Sequence, residues 1–548
     1  MSSCGVRKSI KHLPKTEGYN NEKPLVTRNS ATSFSYKENF LIKNEENNLW
    51  EMYVEGDALQ RGLIIGSLSD SLIKKQETIF FGKIKQLVPS TFKLRLLRQF
   101  LKIYNRKLYK NVSEEYQTEI YGLSRYTSKK YEEIAPQYLR TLYLHGAHDI
   151  GHALTDLSLV GCTSFAVWNE KSEDGSLLIG RNLDFYAGDD FAENKVIYFI
   201  KPDLGYPFMS VSWPGMIGVV SGMNLEGLTV TINAGKSDIP WVAKTPIAIL
   251  AREILQYAKN IDEAIAIAKK REVFVSESIM IGSANDGKAV LLEVSPNHFG
   301  IYDVPNTSEL ICANHFQSET YKNDKKNTKQ IAESHSKYRF DRMEELLDEN
   351  QKISPEEAVK ILRDKNGLKD KSIGFGNEKA LNQLLAHHGI VFKPEQKLVW
   401  ISANPYQLGE FVCYDLNKVF AKDSIKNQNS VPITMAEKKL NIQKDFFLET
   451  KEYTDYEEFR IKNRTFDKAL ETKKEVSEEF ITSFKKLNPD FWLVYYKAAK
   501  YYQSKKQYQK AFDNFETALT KEITTLPDRK EVEKQLKKVK KKVDNLIF

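Results

Sequence analysis

Apolar and polar positions divide the chain into four kinds of territory. Residues 1 to about 40 are polar, lack clear periodicity and carry Pro14 and Pro24, and read as a flexible tail or an extended wrapping arm. From Leu49 the pattern is regular: Trp50, Met52 and Val54 alternate as in a strand, and Gly56 to Gly66 then enters a helix. Gly62 and Gly66 lie four apart on one helix face, where missing side chains permit close packing. Helical periodicity continues over residues 70–157, so 41–161 reads as one mainly helical segment.

Strand patterns dominate from Cys162 to Leu310: 163–169, 177–182, 195–201, 208–213, 217–223, 228–234, 278–283 and 289–293. Asn285-Asp286-Gly287 marks a hairpin turn. A helical pair is predicted at 246–257 and 261–269, and further helices at 336–347 and 355–362. Strands at 391–392, 398–402 and 409–414 close the section. Strands grouped between groups of helices predict an α+β domain over 162–416. Beyond about Asn417 the composition turns to Lys, Glu, Asn and Gln, giving a linker with helices over 417–485. Residues 486–548 read as a helical hairpin and a C-terminal helix. Within them Trp492–Thr520 resembles one tetratricopeptide-type hairpin, with Tyr502, Tyr508, Ala511, Phe515, Ala518 and Leu519 at its packing offsets. One repeat cannot bury its face alone, so packing on the main body is expected ahead of a protein partner there.

Bulk composition narrows the classes. The 548 residues are 41% apolar, with 29 Phe and 27 Tyr, enough for a large core, and carry a net charge of +8. So mild an excess is read as solvated helix faces, with no nucleic-acid partner. No apolar run approaches the roughly 20 residues that span a bilayer. Cys4, Cys162, Cys312 and Cys413 lie too far apart for metal-ligand spacing or a disulfide framework. Met1-Ser2-Ser3-Cys4-Gly5 resembles the end of a bacterial lipobox without its hydrophobic segment. A lipid on Cys4 would make the protein an exported, membrane-tethered lipoprotein; otherwise a cytoplasmic location is expected. His145, His148 and His152, with Asp156, share a helix face. One straight helix rarely aims more than two side chains at one ion, so packing or capping roles are expected and a metallohydrolase is the weakest reading.

The chemistry centres on Val160-Gly161-Cys162-Thr163-Ser164-Phe165, followed by a turn and Gly180-Arg181-Asn182-Leu183-Asp184. This is a cysteine at the start of a strand, with a return strand delivering an arginine and an aspartate. Gly161 tolerates the distorted backbone of an N-to-S acyl shift. Attack by the Cys162 thiol on the Gly161 carbonyl, followed by hydrolysis, would leave Cys162 with a free α-amine. That amine titrates near pH 8 and a thiol near about 8.5, so it can act as the thiol's own base.

These residues resemble the cysteine-type N-terminal-nucleophile (Ntn) hydrolases, in particular the penicillin acyl-coenzyme A:6-aminopenicillanate acyltransferase branch, related to the choloylglycine hydrolases and acid ceramidase. The Gly56, Gly62, Gly66 pattern resembles the segment preceding the cysteine in that branch, and the likeness covers about residues 50–415. It implies a four-layer αββα sandwich with a helical N-terminal segment and a C-terminal helical extension. It also implies self-cleavage between Gly161 and Cys162 and an acyl-thioester on Cys162 formed from a linear amide or thioester, without cofactor or metal. Arg181 would favour the thiolate and hold substrate, and Asp184 would orient the new amine. The hairpin is a few residues longer than in relatives. Asn224 and Asn314 resemble the family's two asparagines, which would serve the oxyanion. Ser336-Lys337-Tyr338-Arg339-Phe340-Asp341-Arg342 resembles its helical arginine motif, with Arg339 as the active-site arginine and Arg342 as the alternative. His315 is expected in the substrate pocket. The competing reading is an uncleaved, inactive Ntn-fold binding protein whose helical repeat recruits a partner.

Overall fold

In the computed structural model, residues 2–146, 149, 160–185, 188–237, 240, 242–385, 387–421 and 431–547 are described. The alternation of Trp50, Met52 and Val54 makes strand β4 (Leu49–Gly56), fully buried over its first six residues. It lies inside a sheet whose order is β1 (Thr27–Arg28), β2 (Ser33–Tyr36), β3 (Asn39–Asn44), β4, β7 (Val196–Pro202), β8 (Phe208–Ser212), β9 (Ser221–Asn224), β10 (Leu228–Ala234), β11 (Glu277–Ser283), β12 (Lys288–Val294) and β13 (Phe299–Tyr302). The pairing of β4 with β7 is parallel, from Trp50 opposite Val196 to Gly56 opposite Pro202; every other pair in this sheet is antiparallel. The second sheet runs β14 (Glu309–Cys312), β5 (Val160–Val167), β6 (Leu178–Phe185), β15 (His388–Lys393), β16 (Leu398–Ser402) and β17 (Phe411–Asp415).

Three apolar cores define four layers. Phe199, Met209 and Met280 of the first sheet meet Ile179, Ile390 and Ile401 of the second. The outer face of the first sheet packs on helices Ala58–Leu68, Glu114–Ser124, Gln137–His145 and Ile247–Tyr257 through Ile64, Ile120, Leu142 and Ile254. The outer face of the second packs on Ser336–Glu349 and Pro355–Leu362 through Met343, Leu347, Val359 and Leu362. The architecture is a four-layer αββα sandwich.

The Gly62 reading holds: a Cβ there would lie 1.9 Å from the carbonyl oxygen of Glu119 in the facing helix. Beside it Arg61 donates to Glu119 at 2.7 and 3.0 Å, and Arg252 reaches the same carboxylate. Two expectations are revised. The N-terminal stretch is not a featureless tail: residues 2–11 are helical and 27–44 supply three strands. Phe40 and Ile42 face the inter-sheet core while Tyr36 and Leu41 face the outer one; these alternations are too short to register as periodicity. Residues 217–220 precede β9 rather than belonging to it, because the amide of Ile217 is held by a side chain, that of His145.

A fourth core gathers the C-terminal helices Lys451–Thr472, Glu478–Leu487, Trp492–Ser504, Tyr508–Thr520 and Leu526–Ile547. It also takes in Leu384 and Leu408 from loops of the sandwich. Gly374, at φ +82°, lies so close to Phe491 that a Cβ would meet its backbone at 2.4 Å.

Candidate active site

The β5–β6 hairpin sets the geometry. Its register places Cys162 opposite Leu183, Ser164 opposite Arg181 and Gly161 opposite Asp184. Side chains alternate between the faces of a strand. Cys162 and Arg181 therefore face the other sheet together, while Asp184 and Thr163 face the outer helices. Arg181 donates from Nη2 toward Cys162 Sγ at 3.7 Å and to the carbonyl of Ile232, and from Nη1 to the carbonyl of Val220 at 2.9 Å and to Ser221 Oγ. Its charge is thus carried across to the first sheet and fixed beside the sulfur. Burial pushes the Cys162 thiol up, and Arg181 and then Arg339 pull it back.

Asn314 follows β14 directly. Its Oδ1 accepts from the Cys162 amide at 2.9 Å and from Arg339 Nη2 at 2.6 Å, and its Nδ2 donates to Ala234 O at 2.9 Å. Arg339, on helix Ser336–Glu349, is fully buried. It donates through Nη1 to Cys162 O at 2.7 Å and to Thr163 Oγ1. Cys162, Arg181, Asn314 and Arg339 are therefore brought together. Asp184 is beside them on the opposite strand face, where Oδ1 accepts from Gln407 Nε2 at 3.2 Å. Oδ2 is buried without a hydrogen-bond partner among the described residues. Burial raises this carboxyl to about 8 despite Arg339 and Arg181 nearby.

The structure does not bring Asn224 to the cysteine. Its amide donates to the carbonyls of Leu255 and Ala258, and its Oδ1 accepts from the amides of Glu226 and Leu228, so it braces the β9–β10 turn. Ala234, at the other end of β10, is the residue beside Asn314; six residues at about 3.3 Å each separate the two ends by about 20 Å. Arg342 is likewise elsewhere: it holds Asp364, Glu345 and Asp370 in a structural ion-pair cluster. His315 is buried next to Asn314 with Nδ1 2.8 Å from Ser336 Oγ, and burial lowers it to about 4, so it stands neutral. Of the histidine row, His145 is a packing residue. Its Nδ1 pairs with Thr141 O at 2.8 Å and its Nε2 accepts from Ile217 N at 3.1 Å. His148, His152, Asp156 and the side chain of Cys4 lie outside the described residues. Among the described residues no three His, Cys, Asp or Glu side chains converge as metal ligands.

Several neighbours escaped the sequence reading. Gln383 fills the space that a Gly161 side chain would take, its Nε2 2.3 Å from where a Cβ would be, and that Nε2 has no hydrogen-bond partner among the described residues. Gln383 and Gln407 adjoin Leu384 and Leu408, the two residues inserted into the C-terminal helical core. Ser221 Oγ also lies 3.0 Å from His388 Nε2, and His388 Nδ1 lies 2.9 Å from His387 Nδ1, extending a chain of contacts from Arg181. No local motif announces these residues.

Two stacked, mainly antiparallel sheets lie between helical layers, with a cysteine on a hairpin of one sheet, the arrangement that the resemblance to cysteine-type Ntn hydrolases implies. Residues 168–404 match the family model for acyl-coenzyme A:6-aminopenicillanic acid acyl-transferase. The match begins just after Cys162 and contains Arg181, Asp184, Asn314 and Arg339. An uncharacterized protein of Archaeoglobus fulgidus is 29% identical over 153 residues, 27% of this chain and 26% of that one. Protein dcd1B of Dictyostelium discoideum is 22% identical over 309 residues, 52% of this chain and 57% of that one. The chain thus spans between about a quarter and somewhat over half of the curated relatives it matches. Among solved structures, the Caenorhabditis elegans ortholog of N-acylethanolamine-hydrolyzing acid amidase is 16% identical, over 43% of this chain and 93% of that one, with a TM-score of 0.31. A mutant of conjugated bile acid hydrolase from Clostridium perfringens is 17% identical, over 47% and 93%, with a TM-score of 0.32.

Proposed function

We propose that the chain matures by cleaving itself between Gly161 and Cys162 and then acts as an amidohydrolase or acyltransferase through an acyl-thioester on Cys162. The observation that carries this reading is the pair of unsatisfied polar atoms beside that peptide bond. Asp184 Oδ2 and Gln383 Nε2 are both buried and lack partners among the described residues, a costly arrangement in a finished site. It suits a precursor in which a new ammonium and a new carboxylate are about to appear. Cys162 Sγ attacks the Gly161 carbonyl carbon, the amide nitrogen leaves with a proton, and the resulting thioester is hydrolysed by water. Gly161 then ends in a carboxylate and Cys162 begins with an amine.

In the matured site that amine takes the thiol proton. Arg181, at 3.7 Å, stabilises the thiolate. The thiolate adds to the substrate acyl carbon, the substrate's amine or thiol leaves with the proton, and water or an acceptor amine releases the acyl group. Asn314 and Arg339, which converge on the Cys162 backbone, hold the new terminus in place. An apolar pocket lined by Ile73, Phe80, Phe185, Phe191, Trp213 and Met216 takes in the end of β6, on the strand face that carries Arg181, and suits a hydrophobic acyl group.

The test is intact-mass analysis of purified protein and its Cys162→Ala variant. The wild type is expected to give fragments of 161 and 387 residues out of the 548, and to gain the mass of the acyl group on the larger fragment with an activated amide. A wild-type chain that stays whole and never acylates would leave a binding protein as the better reading.

A further inference from the structure

No helix among the described residues is long and apolar enough to cross a membrane. One helix nevertheless shows its apolar side chains to solvent. Helix Thr91–Tyr104 buries only Tyr104. Phe92, Leu96, Phe100 and Ile103, spaced four, four and three apart, form one stripe, and Phe92 is 68% and Leu96 55% exposed. Leu87, at the end of the preceding helix Asp70–Leu87, is also 55% exposed. The stripe is edged by Lys93 on one side and by Arg95 and Lys102 on the other, and the helix has no acidic residue. The basic helix Ser2–Lys11, with Arg7, Lys8 and Lys11, packs alongside. Arg98, on the packed side of the same helix, pairs with Glu133 at 3.3 Å.

We infer that helix Thr91–Tyr104 docks the protein on an anionic lipid surface, with its apolar stripe immersed at the headgroup level and its basic edge on the phosphates. A large apolar stripe flanked by lysines and arginines, without acids, is the pattern of helices that lie in the bilayer interface. Long basic side chains can lay their stems on the apolar layer and keep the charge among headgroups. A protein-binding surface would instead be depleted of lysine. The placement also has a use: helix Asp70–Leu87, which precedes the docked helix by a three-residue connection, supplies Ile73 and Phe80 to the pocket that Phe185 lines.

The test is sedimentation of the full-length protein with vesicles of phosphatidylcholine alone or mixed with phosphatidylserine. Partitioning is expected to be about tenfold or more stronger on the mixed vesicles. Combining Phe92→Ser, Leu96→Ser and Phe100→Ser should lower it about tenfold or more, with an unchanged circular dichroism spectrum and melting temperature because these side chains are exposed. Combining Lys93→Gln, Arg95→Gln and Lys102→Gln should remove the preference for phosphatidylserine. No partitioning of the wild type, or equal partitioning of the serine variant, would overturn the inference. A concentration-dependent dimer that the serine variant abolishes, with no vesicle binding, would overturn it in favour of a second copy of this chain.

Discussion

A carboxyl group that keeps its proton at neutral pH leaves a measurable trace, and Asp184 is expected to be one. In the uncleaved chain its burial raises it from 3.8 to about 8. Between those values the folded state holds a proton that the unfolded state has released. Stability from this group is therefore full below pH 4 and is lost as the pH rises to about 8. Each unit is worth about 1.4 kcal/mol, so the four-unit window amounts to about 6 kcal/mol. The perturbation is Asp184→Asn in the Cys162→Ala chain, which cannot process. Urea unfolding followed by tryptophan fluorescence from pH 4 to 9 should show the parent losing about 6 kcal/mol relative to the Asn variant over that interval. Other buried carboxyls, such as Glu277, cancel in the difference. An infrared difference spectrum between the two chains should show a protonated carboxyl band that disappears near pH 8. A flat stability difference, or no such band at pH 6, would mean that Arg339 and Arg181 outweigh burial and that Asp184 is already ionised before any ammonium forms.

Ser221→Ala should leave a buried guanidinium N–H of Arg181 short of an acceptor, costing about 1–3 kcal/mol and moving the pH profile of Cys162 alkylation upward; an unmoved profile would separate Ser221 from the thiol. Asn224→Ala strips four hydrogen bonds from the β9–β10 turn and should destabilise by about 3 kcal/mol without changing Cys162 reactivity in the folded fraction. Loss of that reactivity in fully folded protein would contradict the placement of Asn224. Gly62→Ala must push helix Ala58–Leu68 away from Glu119, at about 3 kcal/mol or more, visible as a fall in melting temperature; an unchanged melting temperature would refute the close approach.

What was readable in the sequence was what local geometry decides. Cys162, Arg181 and Asp184 share one hairpin, so their mutual placement follows from strand alternation and a short turn. The glycines at 62 and 66 and the arginine helix carry their own spacing. Asn224 misled because Asn-Leu-Glu-Gly looks the same whether its amide braces a turn or meets a substrate; only the length of β10 separates the two. Arg342 sits one helical turn from Arg339, and only the loop bearing Asp364 and Asp370 claims it. Gln383, Gln407 and His388 reach the site from more than 200 positions beyond the cysteine, brought there by sheet pairing and by loops anchored in the C-terminal helices, with no pattern of their own to mark them.

The parallel pairing of β4 with β7 crosses the Gly161–Cys162 bond, since one strand precedes it and the other follows. Four of the eleven strands of the larger sheet lie on the upstream side. Scission at that bond would therefore change the molecularity of folding. The precursor would fold as a first-order process, with both halves of the sheet on one chain. The matured pair, once melted, would have to find each other in solution, so recovery would slow on dilution and the apparent melting point would depend on concentration. A chain that cut itself there would pass through its reversible state once, before scission, and would be held together afterwards by the β4–β7 ladder and by the apolar core that both halves share.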